Sequence, residues 1–406
     1  MASPSATVAL LLQSLTGGGV ERSTLRLARE LTRRGLVVDL LVCRPRGELA
    51  NSVPQGVRII PLAEVGTVAG RLAALRAAGR DWPLLLRPVL LALHASRALR
   101  HLPALARYLE LERPAALLSA KTSINLMALW ARRLARVPTR LVLSERVQLS
   151  SVTTPDRPAK RSRLPQLAAR FYGEADAIVA VSTGVADDLA RVTGLDRGRI
   201  SVIYNPVVGD DFVTRSTEPA PHAWLTDDGP PVVLTVGRLH DQKDYPTLLR
   251  AFATLRARRP ARLLILGEGP RRGELERLAS RLGIDAELSM PGFCANPLPA
   301  MARAAVFALT SRAEGFGNVL VEALATGCPV VSTDCPSGPR EILGGGRYGR
   351  LVPVGNVEAM AEALRITLNE PPDRNRLRAR GAEFSVARAA DSYLAVLLPE
   401  RSADYC

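Results

Sequence analysis

The stretch "TVALLLQSLTGGGVERSTLRLARELTRRGLVVDLLVC", residues 7–43, carries the reading of the fold. It opens on the apolar run "TVALLLQSL" and turns at "TGGG". It continues as the helical pattern "ERSTLRLARELTRRG", closed by Gly35, and ends on a second apolar run, "LVVDLLVC". Both runs are continuous rather than alternating, as strands read when helices cover both faces of their sheet. Strand, helix and strand in succession form the repeating unit of a parallel, doubly wound α/β sheet.

The same alternation extends outward. "AALLSA", "RLVLSE", "ADAIVAVS" and "ISVIYNPV" add strands to the first half. From Val208, "VVGDDFVTRSTEPAPHAWLTDDGPP" loses all periodicity and reads as a linker, with a hinge near 206–230. The pattern then restarts with strand "PVVLTVG", helix "YPTLLRAFATLRAR", strand "ARLLILG" and helix "PRRGELERLASRLG". Strand "ELSMPGF", helix "LPAMARAA" and strand "VFALTS" follow. A chain of 406 residues exceeds one ordinary core and suits two such domains. The expectation is an N-terminal Rossmann-like domain over 1–205 and a C-terminal one over 206–380. Residues 381–406, with "EFSVARAADSYLAVLL", form a helix able to cross back to the first domain.

Composition narrows the class. Hydrophobic residues make up 47% and charged residues 23%, the balance of a folded soluble protein rather than a disordered one. Residues 1–205 hold 30 basic and 15 acidic side chains, and the rest of the chain holds 24 of each. The whole net charge of +15 therefore lies in the first half. It should draw an anionic membrane surface, a phosphorylated lipid or a nucleic acid to that half alone. The five cysteines form no CxxC and read as reduced thiols in a cytoplasmic compartment. No basic region precedes the first apolar run, so no signal peptide is read. "WPLLLRPVLLALHA" is broken by Arg87 and Pro88 and is too short to span a bilayer.

Chemistry concentrates in "LTSRAEGFGNVLVEALATGCPVVSTDCPSGPREIL", residues 309–343. Glu314 follows a strand end, Gly315, Phe316, Gly317 and Asn318 lead into a helix ending at Gly327, and Glu322 lies about one turn inside it. Parallel sheets bind ligands at the carboxyl ends of their strands. A helix start there offers free N–H groups and a positive dipole end to a phosphate or diphosphate. Two carboxylates flanking such a site suit the two hydroxyl sets of a nucleotide sugar. The alternative is a solvated Glu314 and a Glu322 that serves only the helix dipole. In "LTVGRLHDQKDYPTLL", Arg238 and Lys243 follow another strand end and can converge on a diphosphate. No Asp-x-Asp occurs, so nothing marks a metal site and a metal-independent reaction without cofactor is expected. Gly292 and Phe293 can wall a base pocket, and the "TGGG" loop can bring backbone N–H groups to a phosphate. That loop is not GxGxxG, which argues against a dinucleotide.

Taken together, "VGRLHDQKDYPTLLRAF", "ILGEGP", "PGF" with "NP", and the stretch from Ser311 to Leu343 resemble the retaining glycosyltransferases of family 4, which have the GT-B fold. The likeness is dense through 231–356, and "GGGVERSTLRLARELTRRG" and "ADAIVAVSTGVADDL" extend it more loosely. The resemblance implies two Rossmann-like domains facing a central cleft, with a UDP-sugar held mainly by the second and the acceptor by the first. Carried over by position, Glu322 would hold the ribose and Glu314 the donor sugar. Arg238 and Lys243 would neutralise the diphosphate, assisted by Gly18 and by backbone at Phe316, Gly317, Asn318 and Val319. Many relatives have a His after the strand read here as "RLVLSE"; this chain has "SERVQLS". No catalytic His is therefore assigned. Glu145 or Arg146 becomes the candidate contact to the acceptor or donor sugar, and His94 and His101 are read as surface residues.

Between Val65 and Leu109 stand seven arginines against one acid, Asp81, with leucines at roughly helical spacing. The segment reads either as core-facing helices with a solvated Arg face or as a surface that settles on anionic lipid. "DRPAKRSRLP", 156–165, can extend that surface. The expectation is a hexosyltransferase, cytoplasmic and peripheral on the inner face of the cell membrane, acting on a lipid-linked or polysaccharide acceptor. Two rivals are an epimerase of the same fold and a basic nucleic-acid-binding protein, which would lack the usual interleaved aromatics.

Overall fold

A computed structural model describes residues 6–86, 97–153 and 164–400. The chain forms two compact units, Met1–Pro206 with Val386–Cys406, and Val207–Ser385. The first holds a seven-stranded sheet in the order β3-β2-β1-β4-β5-β6-β7. Its strands are β1 (Thr7–Ser14), β2 (Val37–Arg44), β3 (Val57–Pro61), β4 (Ala116–Ala120), β5 (Arg140–Glu145), β6 (Ala177–Ala180) and β7 (Ile200–Val202). The second holds six strands in the order β10-β9-β8-β11-β12-β13. These are β8 (Val232–Val236), β9 (Arg262–Leu266), β10 (Leu288–Gly292), β11 (Val306–Leu309), β12 (Val330–Thr333) and β13 (Arg350–Val352). The strand pairs are parallel throughout both sheets, so the α/β reading of the sequence holds.

The apolar runs are buried as their composition requires. Val8 to Leu12 of β1 and the whole of β4 are closed to solvent. The one charge inside such a run, Asp39 of β2, is fully buried and accepts two hydrogen bonds from Arg58, at 2.8 and 2.7 Å, and one from the Tyr108 hydroxyl. A buried carboxylate is tolerable only with partners of this kind. The final helix, Val386–Leu397, packs Ala390, Tyr393, Leu394 and Leu397 into the same core as Leu27, Leu31 and Val8 of the first unit. Arg140 donates to the Val396 carbonyl at 2.8 Å.

Two readings change. The segment after Val208 is not a bare linker: it forms a short helix, Phe212–Thr217, with Phe212 buried. The Val207 and Val208 N–H groups donate to the Phe384 carbonyl, and Asn296 Nδ2 donates to the Arg215 carbonyl at 2.8 Å. Its polar side chains also bond to the rest of the second unit: Arg215 Nη2 donates to Asn296 Oδ1 at 3.3 Å, Asn296 Nδ2 to Glu218 Oε2 at 2.8 Å and Arg262 Nη1 to Asp227 Oδ2 at 2.7 Å, which is why the segment shows no apolar period. His101 is not a surface residue: it is 4% exposed, with Nδ1 2.9 Å from the Leu62 carbonyl oxygen. It closes the 3-10 turn Arg97–His101, which tucks Ala98 and Leu99 inward. The edge strand β3 reads poorly from sequence because its residues are half-exposed and include Arg58 and Pro61. His94, Arg87 and 156–163 lie outside the described residues.

Candidate active site

The carboxyl ends of β8, β11 and β12 build the site of the second unit. β8 ends at Val236, and the chain passes Gly237 and Arg238 into the 3-10 turn Asp241–Lys243. β11 ends at Leu309 and leads through Thr310 and Ser311 to Glu314. The two loops are stitched together by several bonds. Thr310 Oγ1 donates to the Lys243 carbonyl at 2.8 Å, Gln242 Nε2 to the Ala313 carbonyl at 2.7 Å, and the Arg312 N–H to the Gln242 carbonyl at 2.8 Å.

That stitching brings Lys243 Nζ to 2.7 Å from Glu314 Oε1, an oxygen that also accepts from Ser311 Oγ at 2.7 Å. The side chains are 20% and 11% exposed, so the pair is largely withdrawn from water but still open on one side. An ammonium group has three donor positions, and only one is committed to Glu314. A Cβ at Gly237 would stand 3.3 Å from Lys243 Cε and 3.1 Å from the Tyr245 hydroxyl, so this glycine leaves the lysine its lane. Arg238 is exposed and pairs with no carboxylate among the described residues.

The helix Asn318–Thr326 begins at Gly317, whose φ of 104° only glycine takes without strain. Glu322 sits inside this helix at 9% exposure. Phe316 buries its ring edge-on against Phe384, with centroids 5.6 Å apart, which leaves its backbone as the part that can meet a ligand. Behind this loop the turn after β12 presses close: a Cβ on Gly338 would lie 1.8 Å from the Phe316 carbonyl oxygen. Cys335, in the same turn, has its thiol pushed up to about 12, first by burial and then by the Glu314 charge. On the other flank, Gly292 (φ 103°) leaves room for the Glu268 carboxylate, and Phe293 is 56% exposed. Asn318 and Val319 form the first residues of the helix.

The structure thus brings Lys243 and Glu314 into contact and sets the Phe316–Val319 turn directly after them. Sequence reasoning missed Ser311, which the strand-end position three residues before Glu314 could have suggested. It also missed the Cys335–Gly338 turn, for which the sequence carried no signal beyond a serine–glycine pair.

In the first unit Gly18 caps the helix Gly19–Arg33, and a Cβ there would meet Glu21 Oε2 at 2.4 Å. Glu21 is buried and accepts from Lys121 Nζ at 2.8 Å. The space that this glycine leaves is therefore filled by a carboxylate of its own helix. Glu145, at the end of β5, is fully buried and accepts from the Tyr172 hydroxyl, Thr122 Oγ1 (3.1 Å) and Asn125 Nδ2 (3.1 Å). Burial pushes its carboxyl up to about 7 against the pull of those donors. It has no exposed surface to offer a sugar. Arg146 is 6% exposed and donates to Asn205 Oδ1 at 2.7 Å, while its Nε is buried without a partner.

The family model described as "Glycosyltransferase Family 4" matches residues 17–209, and that described as "Glycosyl transferases group 1" matches 216–384. The chain is 33% identical over 283 residues to the Campylobacter jejuni N-acetylgalactosamine-N,N'-diacetylbacillosaminyl-diphospho-undecaprenol 4-alpha-N-acetylgalactosaminyltransferase, covering 68% of this chain and 73% of that one. It is 32% identical to the lipopolysaccharide core biosynthesis glycosyltransferase LpsE of Rhizobium meliloti, over 59% of this chain and 69% of the relative. Among solved structures, the lipopolysaccharide outer core galactosyltransferase WaaB superposes with a TM-score of 0.70 at 19% identity, over 97% of this chain and 99% of that one. Anabaena Alr3699/HepE, solved in complex with UDP-glucose, gives 0.72 at 19% identity with the same coverage. At these identities the structural likeness speaks for the fold, which is GT-B.

Proposed function

The chain belongs to the group 1, family 4 glycosyltransferases, hexosyl-transferring enzymes of GT-B fold, and from that premise we propose its donor, its stereochemistry and its acceptor class. The donor is a nucleoside diphosphate sugar, a UDP-sugar, carrying a hexosyl or N-acetylhexosaminyl unit. The observation that carries this reading is the Lys243–Glu314 contact at the root of a glycine-started helix. A cation, a carboxylate and a helix N-terminus in one place suit a diphosphate with hydroxyls beside it.

In this reading Lys243 keeps Glu314 and turns its remaining N–H donors to the diphosphate, with the exposed Arg238 completing the charge. Glu314 Oε2 and the helix carboxylate Glu322 take hydroxyls of the sugar and ribose. The acceptor hydroxyl attacks the anomeric carbon from the side the diphosphate leaves. The C–O bond breaks with its electron pair on the phosphate oxygen, and the acceptor proton passes to that same oxygen. Configuration is retained, and fixed cations stabilise the departing charge as it grows.

For the acceptor we propose a lipid-linked or polysaccharide intermediate at an anionic membrane surface. The Campylobacter relative's name carries a diphospho-undecaprenol acceptor. In the basic segment of this chain Val68, Leu72, Trp82, Leu84 and Leu86 are exposed, and Arg71, Arg76 and Arg80 lie in the same stretch. Exposed apolar side chains among arginines suit the headgroup boundary. Among the described residues no helix is long and apolar enough to cross a membrane.

A thermal-shift panel of nucleotide sugars, followed by anomeric analysis of the product, tests the proposal. UDP-sugars should raise the melting temperature, since ligands that bind the folded form stabilise it, and the product should keep the donor's anomeric configuration. An inverted product, or an epimer formed from donor alone, would contradict it.

A further inference from the structure

The first unit carries a pocket that the donor reading leaves unused. It is a cavity of about 260 Å³ lined by Gln13, Cys43, Arg44, Glu64, Arg97, Arg100 and His101 with Ala98. Gln13 lies near the end of β1, and Cys43 and Arg44 close β2. Glu64 follows β3, and the turn Arg97–His101 completes the wall. The pocket thus stands at the carboxyl edge of β1, β2 and β3, where parallel sheets place their ligands.

Its chemistry is anion-binding. Three guanidinium groups face one carboxylate, Glu64, whose Oε1 lies 2.8 Å from Arg100 Nη1, so the pair balances and the lining keeps a surplus of two positive charges. Arg100 is further fixed by donation from Nε to the Val65 carbonyl at 3.0 Å. Arg44 and Arg97 are exposed and have no hydrogen-bond or ion-pair partner among the described residues. His101 is buried with Nδ1 committed to the Leu62 carbonyl. Cys43 adds no negative charge, because burial pushes its thiol up to about 12. The volume falls below the roughly 300–1,000 Å³ of pockets that hold a drug-sized ligand, so it suits a compact anion rather than a nucleotide. Guanidinium forks match phosphate oxygens in pairs.

We propose that this pocket seats a diphosphate borne by the acceptor, with Arg44, Arg97 and Arg100 as its ligands. The assignment rests on the reading of the enzyme as one that glycosylates a lipid-linked intermediate. It adds where the charged part of such an acceptor is held.

The test uses the full chain with UDP in excess, so that the donor site is filled before inorganic pyrophosphate is titrated in a thermal-shift assay. Wild type should show a further stabilisation that saturates. The double variant Arg44→Gln, Arg97→Gln should bind pyrophosphate about tenfold or more weakly, through lost charge-assisted hydrogen bonds. Its UDP response and its melting temperature without ligand should be unchanged, since both side chains are exposed and unpaired among the described residues. A short-chain prenyl diphosphate should displace pyrophosphate from wild type. Equal pyrophosphate responses in wild type and variant would overturn the site. A pyrophosphate response that prenyl diphosphate never displaces would overturn the acceptor assignment and leave a free-anion site. Loss of the UDP shift alone, with the arginine dependence intact, would sink the donor reading and support the pocket.

Discussion

Lys243 is one of three lysines in a chain that otherwise uses arginine, and the structure gives a reason for it. An ammonium carries three N–H donors on one atom and can meet Glu314 and a second acceptor from the same point, whereas a guanidinium spreads five donors over a rigid planar fork. Glu322 lies inside the helix that starts at Gly317. Replacing it with Ala should weaken UDP binding by about 1–3 kcal/mol, read by calorimetry; unchanged affinity would remove it from the ribose. Glu145 makes a different prediction. Its carboxyl is raised to about 7 in the folded chain, so the folded state holds a proton that the unfolded state has already released. Stability from this group is therefore present at low pH and declines as pH rises from the ordinary carboxylate range through about 7. Glu145→Gln should remove that decline, gaining roughly 1–3 kcal/mol on wild type between pH 5 and 8. Parallel denaturation curves for the two proteins across that range would refute the shift.

At the scale of elements, the Phe316–Asn318 loop depends on the turn behind it. The Phe316 carbonyl leaves no room for a side chain at Gly338, so Gly338→Ala must push the Phe316–Asn318 loop forward. UDP affinity should fall by about tenfold or more, with a stability loss of about 1–3 kcal/mol. Gly345→Ala is the control: it has a similarly positive φ of 68° but open space around it, and should leave UDP binding intact. This turn also shows where sequence reading stops. β1, β2 and β8 were legible because buried parallel strands are continuous, largely apolar runs. β13 was not, since three residues, one of them Arg350, carry no pattern. Glu314 and Lys243 were legible because they follow strand ends in a loop–helix context. The packing of Gly338 on Phe316 was hidden, because close approach between distant segments leaves no local mark. The burial of Glu145 and His101 was hidden for the same reason: polar residues at strand ends and turns look exposed until their partners, here Tyr172 and the Leu62 carbonyl, are placed.

For the whole molecule, charge and site divide between the two halves of the sequence. The entire net +15 falls in residues 1–205, and the Lys243–Glu314 contact falls in the second unit. If the basic half meets anionic lipid, replacing Arg71, Arg76 and Arg80 with Gln should release the protein from phosphatidylglycerol vesicles in a sedimentation assay while UDP binding stays the same. Equal sedimentation would remove the membrane from the account. The most direct measurement of the central claim is a crystal structure with UDP bound. The account predicts diphosphate oxygens within hydrogen-bonding distance of Lys243 and Arg238 and at the N-terminus of the helix Asn318–Thr326, with the ribose against Glu322. A diphosphate bound away from these groups would contradict it.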